Sequence, residues 1–146
     1  LSMGGYGAIK SALLNPNKYH KAFSLSGALD INHIRQITRE TGRKIMFDSV
    51  FGKKGVEQTK HDLFYLSQKL IDKQAFIPEF YIACGSEDFL FDSNQRFHQY
   101  LVENHIKHEF VIDKGAHEWS FWDKYLELAL EWMSKKKPDD ICHLAF

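Results

Sequence analysis

The chain has little of several features that mark particular classes of protein. Its 146 residues include only two cysteines, Cys84 and Cys142, which form neither a CxxC motif nor a disulfide framework, so we expect a reducing, cytoplasmic environment. No uninterrupted apolar run reaches the roughly 18 residues of a membrane span. The 19 basic and 19 acidic residues cancel, whereas nucleic-acid binding requires a basic face. We therefore expect neither a membrane nor a nucleic acid as partner.

The composition instead suits one domain that occupies residues 1–146. Hydrophobic residues make up 44% of the chain, which is enough apolar material for a core. The eight histidines are scattered, and no two of them have the HExxH spacing of a metal site. We therefore expect no metal and no organic cofactor.

The first seven residues, Leu1-Ser-Met-Gly-Gly-Tyr-Gly7, match most of a nucleophile elbow, G-x-S-x-G, without its leading glycine. In such an elbow a strand turns sharply into a helix, and the residue two after the serine must be small because a Cβ would clash. Gly4 meets this requirement. Ser2 would then lie at a helix N-terminus, where the Met3 backbone N–H could stabilise an oxyanion. The alternative is a glycine-rich segment that happens to contain a serine.

Strands and helices alternate along the predicted chain. Short apolar stretches predict strands over 21–25, 77–85 and 107–112. Helical periodicity predicts helices over 4–14, 57–71, 93–104 and 120–136, the last ended by Pro138. This alternation predicts an α/β fold, with parallel strands joined by right-handed crossover helices.

The segment 31–73 is a helical, cap-like excursion from this pattern. Charged residues alternate there with apolar ones such as Phe47 and Phe51. Two interpretations stay open: a plain crossover connection, or a cap whose apolar residues supply the walls of a pocket.

Three residues could form a catalytic triad. A serine nucleophile requires a general base and an acid that orients the base, and open α/β sheets place such groups in loops at the carboxyl ends of strands. Asp88 follows the strand 77–85, and His117 follows the strand 107–112. With Ser2 they occur in the order Ser, Asp, His, which is the order of α/β-hydrolases.

Competing residues fit this arrangement less well. Glu87 should point away if Asp88 points inward, and Asp92 suits the N-cap region of the following helix. Ser26, after the first strand, lacks the flanking residues of an elbow.

Four motifs in order resemble the esterase D and S-formylglutathione hydrolase group of α/β-hydrolases, and especially its bacterial tributyrin-esterase-like members. They are Leu1-Ser-Met-Gly-Gly-Tyr-Gly-Ala8, Ser24-Leu-Ser-Gly-Ala-Leu-Asp30, Cys84-Gly-Ser-Glu-Asp-Phe-Leu90 and Gly115-Ala-His-Glu-Trp119. The resemblance implies a serine esterase for short-chain acyl esters, with Ser2 as nucleophile, Asp88 as acid and His117 as base. It also implies Met3 as an oxyanion donor and Trp119 near the acyl or alcohol pocket. A thioester such as S-formylglutathione is the alternative substrate.

Family members carry a comparable length of chain before the elbow, which supplies early strands and the second oxyanion donor. The sequence therefore resembles the C-terminal half of an α/β-hydrolase. We expect the N-terminal half or another chain to complete the sheet, and a homo-oligomer stays open. A different class of function is also open, namely a non-catalytic fragment that only folds with or binds a partner chain.

Overall fold

A computed structural model describes residues 1–38 and 43–135. Within these ranges the elements are α1 (Ser2–Leu14), β1 (Lys21–Leu25), α2 (Ile31–Ile37), α3 (Arg43–Phe51), α4 (Leu63–Asp72), β2 (Glu79–Gly85), α5 (Phe91–Glu103), β3 (His108–Asp113) and α6 (Trp119–Ser134). The order confirms the predicted alternation of strands and helices. Pro138, the predicted stop of the last helix, and Cys142 lie outside the described residues.

The three strands form one parallel sheet in the order β1-β2-β3. β1 pairs with β2 from Lys21↔Glu79 to Leu25↔Ala83, and β2 pairs with β3 from Phe80↔His108 to Gly85↔Asp113. Parallel pairing needs long connections, which α2 to α4 supply before β2 and α5 supplies before β3. Because the strands run in the same direction, the loops that follow them emerge at one edge of the sheet.

β2 is buried at every residue, as its continuous apolar run predicts. Successive side chains of a strand point to opposite faces. Phe80 and Ile82 join a core built with α1, α4 and α5, whereas Tyr81 and Ala83 join a second core built with α6. The sheet thus has helices on both faces, which is the layer arrangement of an α/β domain.

α1 packs closely on β1, and Gly5 is the residue that permits it. A Cβ at Gly5 would overlap the Ser24 hydroxyl and crowd the Gly27 backbone. A Cβ at Gly4 would meet no neighbouring atom outside its own helix, and Gly4 is exposed. The described residues outside α1 therefore place no steric restriction on Gly4, and the elbow requirement at that position stays a prediction. Gly5 is the glycine of this first turn that faces the sheet.

The described part of the excursion over 31–73 contains the helices α2, α3 and α4, but the last of them starts later than predicted. The periodicity suggests a start near residue 57, whereas α4 begins at Leu63. Asp62 explains the boundary, because its carboxylate accepts hydrogen bonds from the backbone N–H groups of Phe64 and Tyr65 and caps the helix.

α3 docks on α1 through aromatic side chains. The ring of Phe51 lies 5.8 Å from that of Tyr6 at 90°, and Phe47 stacks on Phe51 at 6.1 Å. Phe47 is buried in the same core as Tyr6. This contact fixes the excursion beside the first helix, and its role as a cap stays a prediction.

Candidate active site

Three side chains from distant parts of the chain meet at the carboxyl edge of the sheet. Ser2 is the first residue of α1, Asp88 lies in the loop after β2, and His117 lies in the loop after β3. His117 Nε2 is 3.1 Å from Ser2 Oγ. His117 Nδ1 is 2.9 Å from Asp88 Oδ2 and 3.1 Å from Asp88 Oδ1. The structure therefore brings together all three residues that the motifs single out.

Ser2 has a strained backbone conformation. Its φ of 51° lies in the left-handed region that non-glycine residues rarely adopt. Such strain is typical of a sharp turn that exposes a side chain at a helix start. Met3 follows as the second residue of α1, and the N–H groups of a first helical turn have no partner within the helix. Donors of this kind favour negative charge close to Ser2.

The Asp88 carboxylate is fully buried, with its side chain 0% exposed. Besides facing His117, its Oδ1 accepts a hydrogen bond of 2.8 Å from the Leu90 backbone N–H. Buried carboxylates are stable as anions only when hydrogen-bonded, and here both oxygens have partners. The loop thus holds Asp88 in one orientation toward the imidazole.

The neighbouring acids point elsewhere, as expected for Glu87. Glu87 is exposed, whereas Asp88 is buried. Asp92 lies in the first turn of α5, where a carboxylate suits the helix dipole. However, α5 has Leu90 at its N-cap and no side-chain cap, so Asp92 does not make the capping bond that its position suggested.

The Asp88 and His117 loops meet through two glycines. The Gly115 carbonyl accepts a hydrogen bond of 2.9 Å from the Glu87 N–H, and the Ser86 N–H donates to the Asp113 carbonyl at 2.9 Å. A Cβ at Gly85 would overlap the Gly115 carbonyl. Glycine at this position therefore lets the two loops approach closely enough for their side chains to bond.

Aromatic rings surround His117. The Phe89 ring lies 4.6 Å away and the Trp122 ring lies 4.8 Å away at 90°. Trp119, predicted near a substrate pocket, is 66% exposed and contacts Trp122 edge to face at 5.3 Å. Phe89 is 50% exposed, so it presents apolar surface beside the imidazole, and Trp119 presents further apolar surface next to Trp122.

Sequence reasoning missed Phe89 and Trp122. Phe89 directly follows the predicted acid, and this adjacency was the available signal. Trp122 shows only helical periodicity in the sequence, which fits core packing equally well.

Cys84 is no second nucleophile at this edge. It is buried, and burial together with the Asp88 charge raises the pKa of its thiol to about 12, against the opposing effect of a hydrogen bond with Ser26. A thiol with such a pKa stays protonated near neutral pH, and the thiolate is the reactive form.

Neither a three-residue metal-binding group nor a membrane-spanning helix occurs in the described ranges. Across residues 1–38 and 43–135, no group of three His, Cys, Asp or Glu side chains is placed to hold a metal ion. In the same part of the chain, no helix has the length and apolar character needed to cross a bilayer.

Comparisons with known proteins extend these observations. A family model with the description "Putative esterase" matches residues 1–133. The acetyl esterase of Caldicellulosiruptor saccharolyticus is 37% identical to this chain, and the match covers 92% of this chain and 53% of that protein.

Two solved structures from Staphylococcus aureus are each 32% identical to this chain. The fluorophosphonate-binding serine hydrolase FphF has a TM-score of 0.81, and the S-formylglutathione hydrolase FrmB has a TM-score of 0.78. In both, the match covers 92% of this chain and 52% of the solved chain. The chain thus spans about half the length of the relatives it matches. These similarities confirm the resemblance carried by the four motifs, and the chain belongs to the esterase family of α/β-hydrolases.

Proposed function

We propose that this chain carries the catalytic residues of a serine carboxylic-ester hydrolase for short-chain acyl esters. The observation that supports this most is the position of His117, whose two ring nitrogens lie 3.1 Å from the Ser2 hydroxyl and 2.9 Å from the Asp88 carboxylate. A carboxylate only accepts hydrogen bonds, so Nδ1 carries the proton and Nε2 is free to accept one from Ser2. This is the tautomer that a general base requires.

The reaction proceeds in two halves. Ser2 Oγ attacks the ester carbonyl while His117 Nε2 takes the hydroxyl proton, and the Met3 N–H stabilises the oxyanion. The tetrahedral intermediate collapses, the C–O bond to the alcohol breaks, and His117 returns the proton to the leaving alcohol. Water then attacks the acyl-serine carbonyl while His117 Nε2 takes its proton. The bond between the acyl carbon and Ser2 Oγ breaks, His117 returns the proton to Oγ, and the carboxylic acid is released. Asp88 holds the imidazole and stabilises its protonated form throughout.

The active enzyme contains more than this chain. The match covers about half of each relative, 52% of FphF for example. β1 is an edge strand whose only partner among the described residues is β2. Below, "the complete esterase" means this chain together with a polypeptide corresponding to the other half of those relatives.

A fluorophosphonate probe tests the nucleophile directly. The probe should label the complete esterase at Ser2, as located by mass spectrometry of the peptide that contains it, and Ser2→Ala should abolish labelling. Ser11→Ala, which changes an exposed serine of the same helix, is the matched control and should label normally. Labelling that persists in Ser2→Ala would contradict the proposed role.

Hydrolysis of p-nitrophenyl acetate separates the esterase from a non-catalytic fragment. We expect no turnover by the 146-residue chain alone and Ser2-dependent turnover by the complete esterase. A chain that binds the other half without producing such turnover would favour the non-catalytic alternative. If the monomeric 146-residue chain alone hydrolysed the ester at the full rate, the other half would not be needed for activity.

A thioester substrate is a second candidate, because FrmB, 32% identical to this chain, is an S-formylglutathione hydrolase. Comparing kcat/KM for S-formylglutathione and p-nitrophenyl acetate decides between them. A value for the thioester higher by two orders of magnitude or more would favour it.

A further inference from the structure

A buried indole connects the candidate base to a serine that the proposed mechanism does not use. The Trp122 ring stands at 90° to the His117 ring, with centroids 4.8 Å apart. The Trp122 Nε1–H donates a hydrogen bond of 3.1 Å to Ser26 Oγ. Trp122 is 8% exposed and Ser26 is 0% exposed, so water does not replace this bond.

We propose that Trp122 is a positioning residue for His117, and that Ser26 sets the orientation of Trp122 through the indole N–H. The inference rests on the proposed function, because a positioned imidazole matters only if His117 acts as a base. It also gives a role to Ser26, which lies at the end of β1 and lacks the flanks of a nucleophile elbow.

His117 needs support beyond its two polar partners. Hydrogen bonds at Nδ1 and Nε2 fix those two atoms but leave the ring free to tilt about the line that joins them. Contacts with the rest of the ring restrict this tilt. Phe89 and Trp122 supply such contacts, yet Phe89 is half exposed while Trp122 is buried in the core under α6. Trp122 is therefore the rigid neighbour.

Ser26 is well fixed as the acceptor for the indole. Its φ of 49° is a left-handed conformation that persists only when the surroundings determine it. Its backbone N–H donates to the Ala83 carbonyl at 2.8 Å. Its buried hydroxyl oxygen accepts the indole hydrogen bond. Because indole nitrogen can only donate, this acceptor defines one orientation for Trp122.

Two substitutions test the connection. Trp122→Phe keeps an aromatic ring but removes the indole N–H, and Ser26→Ala removes the hydroxyl that accepts from it. In the complete esterase, each should lower kcat for p-nitrophenyl acetate about 10-fold with KM unchanged, because misplacement by about 1 Å can cost on the order of 100-fold and the tilt is smaller. The double variant should also be about 10-fold slower rather than about 100-fold, since both changes break one connection.

Trp132→Phe is the matched control. Trp132 is a buried tryptophan of the same core cluster, and its ring packs on Tyr81. This variant should lower the melting temperature as Trp122→Phe does but leave kcat unchanged. An equal loss of kcat in Trp132→Phe, or a double variant equal to the product of the singles, would overturn the proposal.

A spectroscopic measurement separates this inference from the proposed function. In ¹⁵N-histidine spectra, the His117 resonances, assigned by His117→Gln, should move in both Ser26→Ala and Trp122→Phe and stay in place in Trp132→Phe. If Ser2→Ala keeps full ester hydrolysis, the proposed function fails whatever these spectra show. If the His117 resonances do not move in Ser26→Ala and Trp122→Phe, the positioning role fails even when Ser2 proves to be the nucleophile.

Discussion

Replacing Asp88 by asparagine tests the orientation of the candidate triad, and the structure defines what the amide would do. The Leu90 N–H donates to Asp88 Oδ1 at 2.8 Å, so the oxygen of the introduced amide keeps that place. Its NH2 group then takes the place of Oδ2, which at 2.9 Å is nearer to His117 Nδ1 than Oδ1 is at 3.1 Å. An NH2 group donates, and Nδ1 must then accept. The proton moves to Nε2, which can no longer take one from Ser2.

The size of the effect follows from the alternative orientation. In the alternative orientation, the amide oxygen faces His117 and the NH2 group faces the Leu90 N–H. The buried Leu90 N–H then has no acceptor. A buried donor without a partner costs about 1–3 kcal/mol, which reduces the productive orientation about 5-fold to 150-fold. The neutral amide also stabilises the imidazolium less well. The same Asp→Asn change in a serine-protease triad lowers kcat about 10⁴-fold. We therefore predict a fall in kcat of about 10²-fold to 10⁴-fold for Asp88→Asn.

The assay is p-nitrophenyl acetate hydrolysis by the complete esterase, with kcat and KM measured separately. Asp92→Asn and Glu87→Gln are matched controls, because both acids lie beside Asp88 without facing His117, and each should keep most of the activity. Asp88→Asn should melt as a folded protein, which circular dichroism checks. A kcat within about 3-fold of the unmodified value, or an inactive Asp92→Asn, would refute the reasoning.

Three further predictions concern other parts of the molecule. Ser2→Ala and His117→Ala should each lower kcat by several orders of magnitude, and the double variant should be little worse, because residues that act as a unit are not additive; a multiplicative loss would contradict this. If the excursion caps the pocket, shortening Phe47 or Phe51 should change the ratio of acetate to butyrate ester hydrolysis about 10-fold or more, and an unchanged ratio would favour a plain connection. Hydrogen bonds from Lys124 and Tyr125 lower the Asp113 pKa to about 2, so its stabilising effect is present above the usual value of 3.8 and is lost as pH falls toward 2. Asp113→Asn should therefore flatten the dependence of the melting temperature on pH between about 4 and 2, and an unaltered slope would contradict this.

The outline of the fold and the meeting of the three candidate residues could be predicted from local patterns. Apolar runs ended by turn residues indicate strands, and helices between them indicate parallel pairing. Parallel strands end at one edge, so Asp88 and His117 follow neighbouring strands at that edge by topology alone. The boundaries of the elements were predicted less well, because a single capping residue can decide where a helix starts. Asp62 does so for α4, which begins at Leu63 and not near residue 57.

The surroundings of the candidate triad depended on tertiary structure. Trp122 has the same helical periodicity as any core residue, and only the packing of α6 on the sheet places it against His117 and within reach of Ser26, 96 residues away in the chain. Gly5 rather than Gly4 faces β1 because the rotation of α1 about its axis is set by packing. Sequence periodicity indicates which segments form helices or strands and which side chains of a segment share one face. The packing of those faces decides which side chains from different elements touch. The neighbours of His117 are therefore set by tertiary packing and not by sequence periodicity.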